Sequence, residues 1–186
     1  MPPDVFISVD IEADGPIPGD YSMSSFGACV VGDGATFYRE LKPITDRFDP
    51  EAAAVAGLDR AKLIADGADP AAAMRDFNDW IREVSRKKGR PVFVGFNATF
   101  DWMFVHWYFI HFVGKNPFGI AGLDIKAYYM GALGKEHWSD TAKRNMDPRF
   151  LSDRPHTHTA LDDAREQAEV FARIREHVAR NRSPSP

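Results

Sequence analysis

The chain has 186 residues, 44% of them hydrophobic and 27% charged, which suits one globular domain with a sizeable core, residues 1–180, and a flexible tail over 181–186. No apolar run reaches membrane-spanning length, and a polar acidic segment arrives too early for a secretory leader, so a soluble, cytoplasmic protein is expected. The single cysteine, Cys29, excludes an internal disulfide and a cysteine zinc site, and the net charge of −4 argues against a protein that holds nucleic acid mainly by blanket phosphate neutralisation.

In chain order, Val5 to Asp10 reads as an apolar strand that ends in acid, followed by a Gly/Pro-rich loop through Asp20. Two further strands, Ser25–Val31 and Thr36–Leu41, flank Gly32-Asp33-Gly34, a strong hairpin signal, so three antiparallel strands lead. Pro50 to Gly89 is alanine-rich and helical in pattern; Asp69-Pro70 opens its second helix, which carries Met74, Phe77, Trp80, Ile81 and Val84 on one stripe. Pro91–Phe96 reads as a buried strand and Asn97 onward as a helix, with a short strand at Gly122–Ile125 and a helix near Lys126–Leu133 behind them. Gly134–Thr157 has no clear period and is expected to be irregular with short helical pieces. A last helix runs from about Thr159 to Arg180. Strands in a meander followed by alternating helix and strand predict an α/β fold with a mixed sheet and helices on its faces.

Three elements carry chemistry. Asp10 and Glu12 stand two apart at a strand end, so both side chains leave one face, about 7 Å apart at the backbone. Taken alone, such a pair is more often a polar strand end than a cation site. Asn97-Ala98-Thr99-Phe100-Asp101 lies where an apolar strand gives way to a helix, and Asp101 in the first turn complements the helix dipole; Asn97 or Thr99 would cap that helix. In His158-Thr159-Ala160-Leu161-Asp162-Asp163, a continuous helix would turn the histidine about 140° from Asp163, so His158 belongs before the helix. Thr159 and Asp162 resemble a capping box, which leaves Asp163 for chemistry.

Jointly, Asp-x-Glu, Asn-x-x-Phe-Asp and His-x-x-x-x-Asp, in this order and on these elements, resemble the DEDDh group of 3'→5' exonucleases within the ribonuclease H-like fold. The likeness extends from Val5 to about Val178. It implies a mixed five-stranded sheet of antiparallel meander plus parallel strands, hydrolysis of DNA or RNA from the 3' end, and release of nucleoside 5'-monophosphates. It also implies two divalent ions, Mg²⁺ or Mn²⁺, with Asp10 bridging both, Glu12 and Asp163 completing one, and Asp101 supporting the second. Hard oxygen ligands suit such ions better than zinc, and a negative net charge is what gathered carboxylates produce. By the same resemblance His158 takes the proton from the attacking water, and Ala13, Asp14, Asn97 and Phe100 face the substrate. Many relatives have threonine directly after the Glu, where this chain has Ala13. Two alternatives stay open: an endonuclease of the same fold, and a catalytically inactive module that docks nucleic acid or protein.

Other features carry two readings each. Tyr21 and Met23 stack on a terminal base or simply anchor their loop. The helix from Trp102 to Val113 is apolar nearly all round, which points to core burial first and a homodimer contact second. Arg82, Arg86, Lys87, Lys88 and Arg90 read as a solvated helix end. His156 lies seven residues from Asp163 and lacks the spacing of His158.

Overall fold

The computed structural model describes residues 3–52, 57, 59–86, 88–154 and 159–182. Five strands, β1 (Asp4–Ala13), β2 (Met23–Val30), β3 (Thr36–Glu40), β4 (Arg90–Gly95) and β5 (Gly122–Asp124), form one sheet in the order β3-β2-β1-β4-β5. β1, β2 and β3 are antiparallel, whereas β4 runs parallel to β1 and β5 parallel to β4. The fold is therefore the expected mixed ribonuclease H-like sheet, with β1 at its centre. β1 is longer than the sequence pattern indicates. It does not end at Asp10, because Asp10, Ile11 and Glu12 stay paired with Gly27, Phe26 and Ser25 of β2, and the register slips only between Glu12 and Ala13.

Among the described residues, helices α1 (Arg60–Asp66), α2 (Pro70–Ser85), α3 (Thr99–Val113), α4 (Ile125–Leu133) and α5 (Ala160–Arg182) cover the faces. The period-2 alternation of β1 sends Val5, Ile7, Val9 and Ile11 into a core that they share with Phe77 of α2 and Phe104 and Phe109 of α3. Phe77 is fully buried and touches the rings of Phe26, Phe37, Trp80 and Phe109; burying one such side chain contributes about 1.5–3 kcal/mol. On the opposite face, Val94, Ile125, Tyr129, Phe171 and Ile174 form a second core under α4 and α5. β2 lies between the two layers and is buried along its whole length.

The helix signals act as read at α2, where Pro70 fills the first turn and Asp69 accepts the Ala72 N–H at 2.9 Å. They do not at α3. Neither Asn97 nor Thr99 caps it: the N-cap position is Ala98, without a side-chain bond, and the Ala98 N–H instead donates to Asp124 at 2.6 Å. Asn97 takes the left-handed conformation (φ 65) that turns the chain from β4 into α3. The stretch after α4 holds three short 3-10 turns, Trp138–Thr141, Lys143–Asn145 and Pro148–Phe150. α5 continues through Arg182, two residues into the segment expected as tail, and 183–186 lie outside the described residues.

α3 buries only the stripe of Phe104, Val105, Tyr108 and Phe109 besides Asp101. Its other face leaves Ile110 47% exposed and stacks Trp107 on His111 at 4.5 Å. In the basic run, Lys88 pairs with Asp33 at 2.6 Å and Arg90 with Asp4 at 3.4 Å. No helix among the described residues is long and apolar enough to cross a membrane.

Candidate active site

The face of β1 that carries Asp10 and Glu12 also carries Phe6, whose ring meets Phe171 of α5 at 5.2 Å. α5 therefore lies across this face, and its first turn reaches the acids because of Gly27. Gly27 pairs with Asp10 across the sheet, and a Cβ built there would stand 2.4 Å from the backbone N and Cα of Leu161. With no side chain in between, the helix sits directly on β2. Asp163 then comes in from α5, and carboxylate oxygens of Asp10, Glu12 and Asp163 lie within 4.8 Å of one another. Gly27→Ala is expected to lift this turn, to lower stability by about 1–3 kcal/mol and to weaken divalent-cation binding; urea melts and a calorimetric Mn²⁺ titration check both.

Asp101 approaches from the start of α3 and stays outside that tight group. The β1–β4 ladder ends at Ser8 and Val94, so the Ile11 N–H has no strand partner on that side; Asp101 Oδ1 accepts it at 3.0 Å. The bond ties Asp101 to β1 between Asp10 and Glu12. Four acids gathered in a partly water-excluded place repel one another. Enclosure first, and then the charges of Asp101, Asp163 and Glu12, hold Asp10 well above the ordinary carboxylate range. Enclosure, then Asp163 and Asp101, push Glu12 up to about 8. Enclosure pushes Asp101 up to about 7, against the Ile11 bond that favours its ionised form. Oxygen donors this close, costly to ionise together, suit a divalent cation, which reverses the sign of the local field.

The remaining predicted positions divide. Asn97, Thr99 and Phe100 are exposed where β4 turns into α3, with Phe100 38% accessible and its ring against Phe104. Ala13 is buried. Asp14 is spoken for: its Oδ1 accepts the Ser22 N–H at 2.6 Å and its Oδ2 is paired with Arg60, which pins the loop after β1 to α1. Met23 is fully buried, its N–H donating to the Tyr108 hydroxyl at 2.8 Å, so it offers no surface to a base. The Tyr21 ring packs on Gly15, with Arg47 4.9 Å above it, and anchors the loop. His156 and His158 lie outside the described residues.

Two contributors escaped the sequence reading. Gln167 donates from Nε2 to Asp10 Oδ1 at 2.5 Å and accepts the Phe96 N–H at 2.8 Å; its position four residues after Asp163, on the same helix face, was the available signal. Asp124 ends β5, caps α4 through the Ala127 N–H at 2.7 Å, and holds Ala98. A concavity of about 870 Å³, lined by Asn78, Arg82, Arg86 and Lys115 among others, sits by Gly89 and Pro91 at the opposite end of β4 from the acids.

No protein-family model matches the chain. A 3'-5' DNA exonuclease of Escherichia coli, Cap18, is 46% identical over 172 residues, which cover 92% of this chain and 91% of that protein. Among solved structures, a 3'-exonuclease that recognises the 3' end of a histone mRNA stem-loop superposes with a TM-score of 0.73 at 15% identity, over 92% of this chain and 63% of that one. The nuclease domain of 3'hExo, a DEDDh member bound to rAMP, gives 0.70 at 17% identity, over 94% and 92%. E. coli exonuclease I with a dA16 oligonucleotide gives 0.65 at 17%, over 94% of this chain and 41% of that one. The solved structures share the sheet and its helices; the identity to the E. coli protein over nearly the whole of both chains goes further, and the chain belongs to the family of 3'→5' exonucleases that includes it.

Proposed function

We propose that the protein removes nucleotides from the 3' end of DNA, with Mg²⁺ or Mn²⁺ held by Asp10, Glu12 and Asp163 and supported by Asp101. The observation that carries this reading is the approach of Asp10, Glu12 and Asp163 oxygens to within 4.8 Å of one another, in a chain 46% identical to a 3'-5' DNA exonuclease. The donor set fits the group: it is all oxygen, it is clustered, and its members resist ionising together. Bound there, a pair of divalent ions supplies charge stabilisation at the phosphoryl oxygens, a water acidic enough to attack at neutral pH, and a template for in-line displacement. The protein's part is to hold four carboxylates in place from three elements, β1, α3 and α5, with Asn97 and Phe100 exposed beside them where a terminal nucleotide would lie.

Purified protein in Mg²⁺ tests the reading on linear and circular single-stranded DNA and on RNA of the same sequence. Linear DNA is expected to shorten from the 3' end with 5'-mononucleotide release while the circle stays intact. Cleavage of the circle would make it an endonuclease, binding without hydrolysis a docking module, and faster loss of RNA would move the substrate.

His158 is proposed as general base, on its spacing from Asp163 and the family pattern. His158→Ala is then expected to lose about 10²–10⁴-fold in turnover and His156→Ala to keep most activity; reversal of the two in a single-turnover assay overturns the assignment. The half-exposed face of α3, with Trp107, Ile110 and His111, is proposed as a contact between two copies of the chain, which sedimentation at micromolar concentration decides.

A further inference from the structure

Among the described residues, Gln167 is the uncharged side chain bonded to Asp10, and its chemistry fixes its direction. A backbone N–H can only donate, so the Gln167 atom facing Phe96 must be the oxygen, Oε1, at 2.8 Å. The amide nitrogen therefore faces Asp10, and Oδ1, at 2.5 Å, accepts from it. Gln167 is 3% exposed and one turn beyond Asp163 on α5, so the helix that supplies one carboxylate of the tight group also grips another. Through this amide, β1, the end of β4 and α5 are tied at a single point. A carboxylate held by one of its oxygens is restrained in rotation, and Asp10 is held in this way while an oxygen of it lies within 4.8 Å of those of Glu12 and Asp163.

We propose that Gln167 is a positioning residue that sets the divalent-cation affinity of the carboxylate site by orienting Asp10. The inference rests on the reading that these carboxylates hold cations. Groups that orient a metal-binding side chain are typically worth about 10–100-fold in affinity or activity. Gln167→Met keeps the length and bulk of the side chain and removes both hydrogen bonds.

Calorimetric titration of the full chain with Mn²⁺, wild type against Gln167→Met, reads the affinity directly; cation-free thermal melts of both proteins separate affinity from folding. The expected result is binding weakened about 10–100-fold, with the activity at saturating cation much less affected than the cation concentration at half-maximal rate. An unchanged dissociation constant beside a lowered melting temperature would reduce Gln167 to a structural link and overturn the inference. If the variant does not fold, ¹⁵N spectra of the wild type answer the question: the Gln167 side-chain amide is expected to shift on Mg²⁺ addition and to saturate with the affinity found by calorimetry, and an indifferent resonance would overturn the proposal. Failure of the wild type itself to bind Mn²⁺ would instead remove the cation reading beneath it.

Discussion

Asp10→Asn is expected to abolish exonuclease turnover and, at the same time, to make the cation-free protein more stable. Asparagine keeps the volume of the side chain and can still accept from Gln167 through its amide oxygen, so the fold loses little. It removes the negative charge at the centre of the cluster, the one whose ionisation enclosure and three neighbouring carboxylates oppose. The charge stabilisation that divalent ions give phosphoryl chemistry is several kcal/mol, and each 1.36 kcal/mol is about a decade in rate, so the loss is about 10³-fold or more. Relief of the repulsion is on the order of 1–2 kcal/mol, which raises the melting temperature by a few degrees in a domain of this size. Single-turnover kinetics in Mg²⁺ and thermal melts in chelator test the two halves. Near-normal turnover would sink the cation assignment, and a strongly lowered melting temperature would show that Asp10 serves the fold instead.

The second large effect is a stability that depends on pH with opposite character in the presence and absence of cation. Asp10, Glu12 and Asp101 all have folded-state pKa values raised above the unfolded ones, Glu12 from 4.5 to about 8 and Asp101 from 3.8 to about 7. Between about pH 4 and pH 8 the folded chain thus binds more protons at these sites than the unfolded chain. Their contribution to stability is fully present below pH 4 and is withdrawn as the pH rises through 7 and 8, with a slope of up to about 1.4 kcal/mol per pH unit for each proton. Cation binding needs the ionised carboxylates, so the stabilisation given by saturating Mg²⁺ should grow over the same interval. Melts at each pH unit from 5 to 8, with Mg²⁺ and with chelator, are expected to diverge upward in pH. In Asp10→Asn the chelator series should be flatter, because one of the three titrations is gone. Parallel curves would show that the cluster is not what titrates.

The sequence spoke clearly where a signal was local. Asp69-Pro70 announced α2, Gly32-Asp33-Gly34 announced the β2–β3 turn, and alternation along Val5–Ile11 set which face of β1 is apolar and therefore which face carries Asp10 and Glu12. It misled where a residue's role is set by a partner distant in the chain. Asp14 and Met23 stand in a polar loop that looks accessible, yet Arg60 and the Tyr108 hydroxyl claim them across 46 and 85 residues. Asn97 looked like a cap, but Asp124 performs the satisfying of Ala98 and leaves Asn97 exposed. Gly27 gave no sign at all, since only the packed position of α5 shows why a methyl group is not accepted there. Asp10, Glu12 and Asp163 were legible together because their spacing follows the elements that bear them; for the amide that holds Asp10 the sequence offers only its place four residues after Asp163, and the bond itself shows only in the packed structure.

The bond from Gln167 to Asp10 joins residues 157 apart in the chain. β1 and α5 stand far apart in the chain, so the proposed cation site closes only when these two distant elements have packed together. Asp10, Glu12 and Asp101 stand on β1 and α3, whereas Asp163 and Gln167 both stand on α5. Closing a loop of this length costs more entropy than closing a short one, though only logarithmically, and contacts so far apart in sequence slow folding. Assembly of the site is thereby coupled to completion of the fold: no single hairpin or helix pair holds the three acids of the tight group together.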